Sequence, residues 1–169
     1  MRVLPSLLPS LPPVLLLVLA PAVLAADCQP DAETATRALN AVRAQAQSCG
    51  AAAPALRWHA LLGASAHRHA LELADRDRLD HVSASGATLR TRLREAGYAM
   101  RVSGENLAGG PVTLDEALAQ WLASAGHCQN LMLADFQEFG LACVTGPGKL
   151  QRYWVLQLAA PAVPRSAKP

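Results

Sequence analysis

The chain has 169 residues, 15 basic against 13 acidic, with four cysteines and a formal net charge of +2. That length fits one domain of ordinary size. A charge so close to balance excludes nucleic-acid recognition by long-range steering, and the absence of close C-x-x-C pairs excludes a four-cysteine zinc site.

Residues 1–26 read as a secretory signal peptide. Arg2 supplies the positive end, 14–20 an unbroken apolar run, and Val23-Leu24-Ala25-Ala26 the small residues before cleavage. A retained membrane helix needs roughly 20 apolar residues, and Pro5, Pro9, Pro12, Pro13 and Pro21 interrupt this one. Cleavage takes away one basic residue, Arg2, leaving 14 against 13. The mature chain then divides into a domain over 27–160 and a flexible tail over 161–169. Export places it in a periplasm or outside the cell, with no stable membrane span. There, four cysteines read as two disulfides. Of the three connectivities, the local one is expected, Cys28–Cys49 around the opening helix and Cys128–Cys143 at the end of the chain.

A first helix is expected over 31–47, with Ala35, Leu39, Val42 and Ala46 at spacings of three and four. Gly50 follows its end. A second helix, 60–78, carries Leu62, Ala66, Ala70 and Leu73 on its apolar stripe. His59, His67 and His69 read as structural or surface histidines. A loop at 80–83 then presents His81. A third helix over 88–96 is stopped by Gly97, and Arg90, Arg92 and Arg94 read as solvated charge. An extended segment follows over 98–108, with Glu105 and Leu107 on one face. A fourth helix opens at Thr113, where Thr113 and Glu116 form a capping box, so Glu116 is structural. The run 121–130 brings the rarest residue types together, with Gly126 presenting His127 ahead of Cys128; a short helical turn is expected at 129–133. Strand-like runs at 139–145 and 151–158 around Gly146-Pro147-Gly148 make a hairpin. The fold class is α+β, helices layered on a small antiparallel sheet.

His81, Glu105 and His127 are the candidate site. Two imidazoles and a carboxylate suit zinc or another divalent cation, and three ligands with one open position is a catalytic arrangement. The same trio supports acid–base work without metal, because a carboxylate can orient a histidine.

From Leu39-Asn40-Ala41-Val42-Arg43 to Trp154-Val155-Leu156-Gln157 the chain resembles the CAP superfamily (cysteine-rich secretory, antigen 5 and pathogenesis-related 1 proteins), in particular its short secreted bacterial SCP-like branch. The resemblance rests, in order, on Leu56-Arg57-Trp58, Ala66-His67-Arg68-His69-Ala70, Asp80-His81, Arg92 with Gly97-Tyr98, Gly104-Glu105-Asn106-Leu107-Ala108, Trp121, Ser124, Gly126-His127, Asn130 and Gly140. It implies a three-layer α-β-α sandwich around a cleft lined by two histidines and two glutamates, which bind divalent metal in some members. His81, Glu105 and His127 match three of the four positions, and Ser124 stands at the fourth. That exchange removes a negative charge, so any metal affinity is expected to be weak.

The resemblance favours a secreted binding module for a lipid, sterol or peptide-like ligand. Two other readings stand beside it. One is a hydrolase of peptides or cell-wall material using the same trio, with Ser124 as its sole nucleophile candidate. The other is a disulfide-stabilised scaffold for an extracellular protein partner, whose cleft residues form only a polar network.

Overall fold

A computed structural model describes residues 28–162. The expected signal peptide lies outside the described residues, as does the tail beyond 162. Five helices and four strands follow in chain order: α1 Ala32–Arg43, β1 Arg57–Trp58, α2 Ala60–Arg76, α3 Leu89–Glu95, β2 Met100–Gly109, α4 Leu114–Leu122, α5 Ala125–Met132, β3 Glu138–Thr145 and β4 Arg152–Pro161. The sheet order is β1-β3-β4-β2. The β3–β4 hairpin and the β2–β4 pair are antiparallel, and the two-residue β1 adds in parallel to β3.

Side chains alternate across a strand, so β4 feeds two cores. Trp154, Leu156 and Leu158 meet α1, α4 and α5 through Leu39, Leu118, Trp121 and Leu131. On the other face Tyr153 and Val155 meet Ala66, Ala70 and Leu73 of α2, and Ala159 packs with Leu62 of α2 and Leu93 of α3. Both faces of the sheet are covered, which makes the expected α-β-α sandwich. The α2 layer sits very close to β3. A Cβ on Gly140 would stand 2.1 Å from the Gly63 nitrogen, so glycine is required at that crossing.

The helix ends follow local chemistry. Asp31, Thr88 and Thr113 each accept a backbone N–H at the start of α1, α3 and α4, and Glu116 completes the α4 capping box as expected. Three boundaries differ most from the sequence reading, one of them the end of β4, which runs past the expected 158 to Pro161, the first residue of the expected tail. The first helix stops at Arg43, short of 47, because the buried Arg43 side chain turns inward and donates to the carbonyls of Pro54, Leu131 and Leu133. The chain then closes a small Gln47–Gly50 bridge. The expected turn at 129–133 is a full helix, α5, starting at Ala125, so His127 is helical and not on a loop.

The disulfides also differ from expectation. The bonds are Cys28–Cys143 and Cys49–Cys128; Cys28–Cys49 and Cys128–Cys143 do not form. Cys28 precedes the 12-residue α1 and Cys49 follows it. Cys28 lies against β3, with its Cα 5.5 Å from that of Cys143, and Cys49 lies against α5, with its Cα 5.9 Å from that of Cys128, both within the ~4.4–6.8 Å that a disulfide spans. Each cysteine therefore bonds across the layer: Cys28 onto β3, and Cys49 onto α5.

Candidate functional site

Strand alternation sets Glu105 on the α2/α3 face of β2, in register with Gln157 of β4. Glu105 is only 6% exposed, and a buried carboxylate needs partners. His81 Nδ1 lies 3.0 Å from Oε1. Arg92 Nη2 donates to Oε2 at 2.6 Å, and Gln157 Nε2 donates to the same oxygen at 3.1 Å. Arg92 Nη1 donates to the carbonyls of His81 (2.9 Å) and Ala87 (3.1 Å), so one guanidinium holds both the carboxylate and the loop that carries His81. His69 of α2 is buried behind this group, with Nε2 4.0 Å from Glu105 Oε1 and 2.9 Å from the Asp80 carbonyl.

Charge is arranged accordingly. Burial pushes the Glu105 carboxyl up, but the His81 hydrogen bond and the Arg92 charge outweigh it and leave the group below its ordinary range. The same hydrogen bond raises His81 against the opposing effect of its partial burial. With 58% of its side chain exposed and Nδ1 engaged, His81 keeps Nε2 for another molecule. Burial depresses His69, and its Nε2–H donates to the Asp80 carbonyl.

His127 comes from the other layer. β2 is an edge strand, and α5 is tied to it by Asn106 Nδ2 donating to the His127 carbonyl at 2.9 Å. Asn130 Nδ2 adds bonds to the Glu105 carbonyl and Asn106 Oδ1. Partial burial and, after it, the His81 charge lower His127. Ser124 is the N-cap of α5 but makes no side-chain cap bond. It stands three residues before His127, on the same helix face.

Among the described residues no group of three or more His, Cys, Asp and Glu side chains is placed to hold a metal ion. The donor set explains this. Both Glu105 oxygens are engaged in hydrogen bonds, and the Arg92 cation already balances the carboxylate charge. The residues present do not fit a zinc centre.

Three side chains of this site escaped the sequence reading, and each had left a trace. His69 falls on the α2 stripe between Ala66 and Leu73. Arg92 shares a face with Leu89 and Leu93, apart from the exposed Arg90 and Arg94; it is a buried partner, not solvated charge. Gln157 interrupts an apolar strand.

A sheet covered by helices on both faces, with His81 held against a buried carboxylate, defines a three-layer domain. The chain belongs to the cysteine-rich secretory protein family, CAP, whose sequence profile matches residues 36–158. It is 28% identical over 83 residues to the uncharacterized protein YkwD of Bacillus subtilis, covering 49% of this chain and 32% of that protein. Against the uncharacterized membrane protein YlbC of the same organism it is 29% identical over 86 residues, covering 51% and 25%. The match thus spans a third or less of these relatives' length. Among solved structures, an extracellular SCP-domain protein from Bacillus anthracis superposes with a TM-score of 0.64 at 24% identity, over 75% of this chain and 39% of that one. An outer surface protein from Borrelia burgdorferi gives 0.68 at 17% identity, over 80% and 99%. At these identities the likeness concerns the fold.

Proposed function

We propose that this is a secreted CAP-domain binding module whose cleft grips an oxygen-bearing group of a lipid, sterol or peptide-like ligand through His81 and His127. The observation that carries this reading is the His81–Glu105–Arg92 chain. A buried ion pair fixes a half-exposed imidazole through Nδ1 and raises its proton affinity, and Nε2 is a donor toward the cleft in the protonated ring that this favours. A carbonyl, hydroxyl or carboxylate oxygen is the matching acceptor. The His81–Glu105 bond would also orient a general base. Among the described residues, however, no Ser, Thr or Cys side chain hydrogen-bonds to either imidazole, which favours binding over a nucleophilic step.

Export fits two disulfides, which persist in oxidising compartments. It also fits the extracellular and outer-surface descriptions of the two structural neighbours. Among the described residues no helix is long and apolar enough to cross a membrane.

The test is a histidine-detected NMR titration of the mature protein with palmitate, cholesterol sulfate and a short peptide. Saturable shifts of His81 and His127 with one of them, lost in His81→Ala, are expected. If none of the three moves either imidazole, the binding reading fails and a protein-binding scaffold takes its place.

A further inference from the structure

β2 is an outer strand of the sheet, so half of its main-chain N–H and C=O groups have no strand to pair with. In an antiparallel pair, successive residues point these groups alternately toward the partner and away from it. The Gly110 N–H, bonded to the Arg152 carbonyl at 3.0 Å, fixes the alternation. In the register Gly104↔Leu158, Asn106↔Leu156 and Ala108↔Trp154, these three residues of β2 face β4, and Ser103, Glu105 and Leu107 face outward. Two side chains reach β2 from its outer side, as this requires. Asn130 Nδ2 donates to the Glu105 carbonyl at 3.3 Å, and Trp121 Nε1 to the Leu107 carbonyl at 3.0 Å.

At the opposite edge the fold uses the same device. Leu56, just before β1, donates its N–H to Asn40 Oδ1 at 2.8 Å, and its carbonyl accepts from Asn40 Nδ2 at 3.0 Å. One side-chain amide there stands in for a neighbouring peptide. Ser103 has no such guard. Among the described residues nothing bonds to its outward N–H or carbonyl, and it is partly exposed, as are Val102 and Gly104 beside it. The register shift between Met100 and Val102 ends the regular ladder just before Ser103, and Asn130 covers the edge just after it. A short run around Ser103 is therefore open, and unpaired edge groups are a template for another main chain.

We propose that an extended peptide adds to the four-stranded sheet at this place, pairing with the Ser103 N–H and carbonyl as a fifth strand. The chemistry of the edge selects the occupant. A donor and an acceptor set at main-chain spacing match a peptide, as the Asn40 amide does at Leu56, whereas a lipid tail or a sterol ring carries no such pair. The proposal rests on the binding reading above and narrows its ligand to the peptide-like class. Ser103 and Glu105 lie on one face of β2, about 7 Å apart at two residues' rise, and His81 is held on Glu105 at 3.0 Å. A peptide paired with Ser103 would therefore run beside the half-exposed His81 ring, which takes one of its carbonyls or its terminal carboxylate. Main-chain pairing supplies affinity with little demand on sequence.

Amide-exchange NMR on the intact mature protein tests this, with two end-capped hexapeptides as probes, one alternating threonine with valine and one serine with leucine. At least one should bind saturably, slow exchange of the Ser103 amide and shift the His81 ring. N-methylation of one alternate set of peptide nitrogens should abolish binding and of the other set leave it intact, because only one edge of the added strand faces β2. Ser103→Pro removes the outward N–H, which an edge strand tolerates, and should weaken binding by about tenfold or more. The methylated peptides test the same point on the unaltered protein. The proposal is overturned if neither peptide binds, if the two methylated forms bind alike, or if Ser103→Pro binds as wild type does. Ser103 exchange that slows with protein concentration alone would make a second copy the occupant and overturn it too. If palmitate or cholesterol sulfate shifts His81 while neither peptide binds, the binding reading stands and strand addition alone is overturned.

Discussion

Replacing Arg92 by methionine keeps an unbranched stem in the α3 layer and removes the cation from Glu105. Breaking a buried ion pair at one end costs about 3–5 kcal/mol, because the remaining charge is left uncompensated. Glu105 retains Gln157 and His81 as partners, which places the expected loss at the lower end, about 3 kcal/mol. The two carbonyl bonds to His81 and Ala87 are also lost, but that part does not depend on pH. The ion-pair part does. In the native protein Glu105 is depressed, so its contribution is present above the ordinary carboxyl value and is lost as pH falls through the lower folded one. Without Arg92, burial is the largest remaining influence and pushes the carboxyl up, so the variant regains stability as pH falls and Glu105 takes a proton. Urea unfolding at about pH 7.5 and about pH 5 should therefore show a larger deficit at the higher pH. Arg92→Met combined with Glu105→Gln should cost less than the two single changes summed, by about 0.5–3 kcal/mol of coupling. A deficit below about 1 kcal/mol that is equal at both pH values would refute the ion-pair account.

Non-reducing peptide maps should recover Cys28–Cys143 and Cys49–Cys128. These bonds join residues 115 and 79 apart, so removing either by a double serine substitution should lower stability by about 4–5 kcal/mol in the chain-entropy account. Recovery of Cys28–Cys49 would contradict the position of α1. Gly140→Ala should cost about 3 kcal/mol or more, beyond ordinary overpacking, because the new methyl meets backbone of α2 that cannot turn aside; a melting curve equal to wild type would show that the α2–β3 crossing is looser.

The elements that the sequence disclosed were those with a strong local pattern. The α2 stripe, the α4 capping box and the β3–β4 hairpin each carry their own period or cap, and each was found. α5 was hidden because Ala123-Ser124-Ala125-Gly126 contains a glycine of low helix propensity and no capping hydrogen bond; Leu131, Met132 and the Cys49 bond hold it from outside. The disulfide pairing was hidden for a related reason, since spacing along the chain says nothing about which layer a cysteine reaches. Within the site, His81 and Glu105 were legible as polar residues in exceptional surroundings and do meet. Arg92 was not, because a charged residue among charged neighbours reads as solvent-facing until the α3 face and its carboxylate partner are both known.

The central claim is that buried Glu105, backed by Arg92, holds His81 and raises its proton affinity, while His127 is depressed. Histidine ring titration by NMR tests it most directly, in wild type and in Glu105→Gln. In wild type His81 should titrate above the ordinary value of 6.5 and His127 below it. A raised folded value also means that the His81 contribution to stability is complete below the unfolded pKa and fades as pH rises through the folded one. In Glu105→Gln the carboxylate hydrogen bond and charge are gone, and His81 should fall while the Gln carbonyl still accepts from Arg92. A His81 that titrates at or below its ordinary value in wild type, and does not move in Glu105→Gln, would contradict the account.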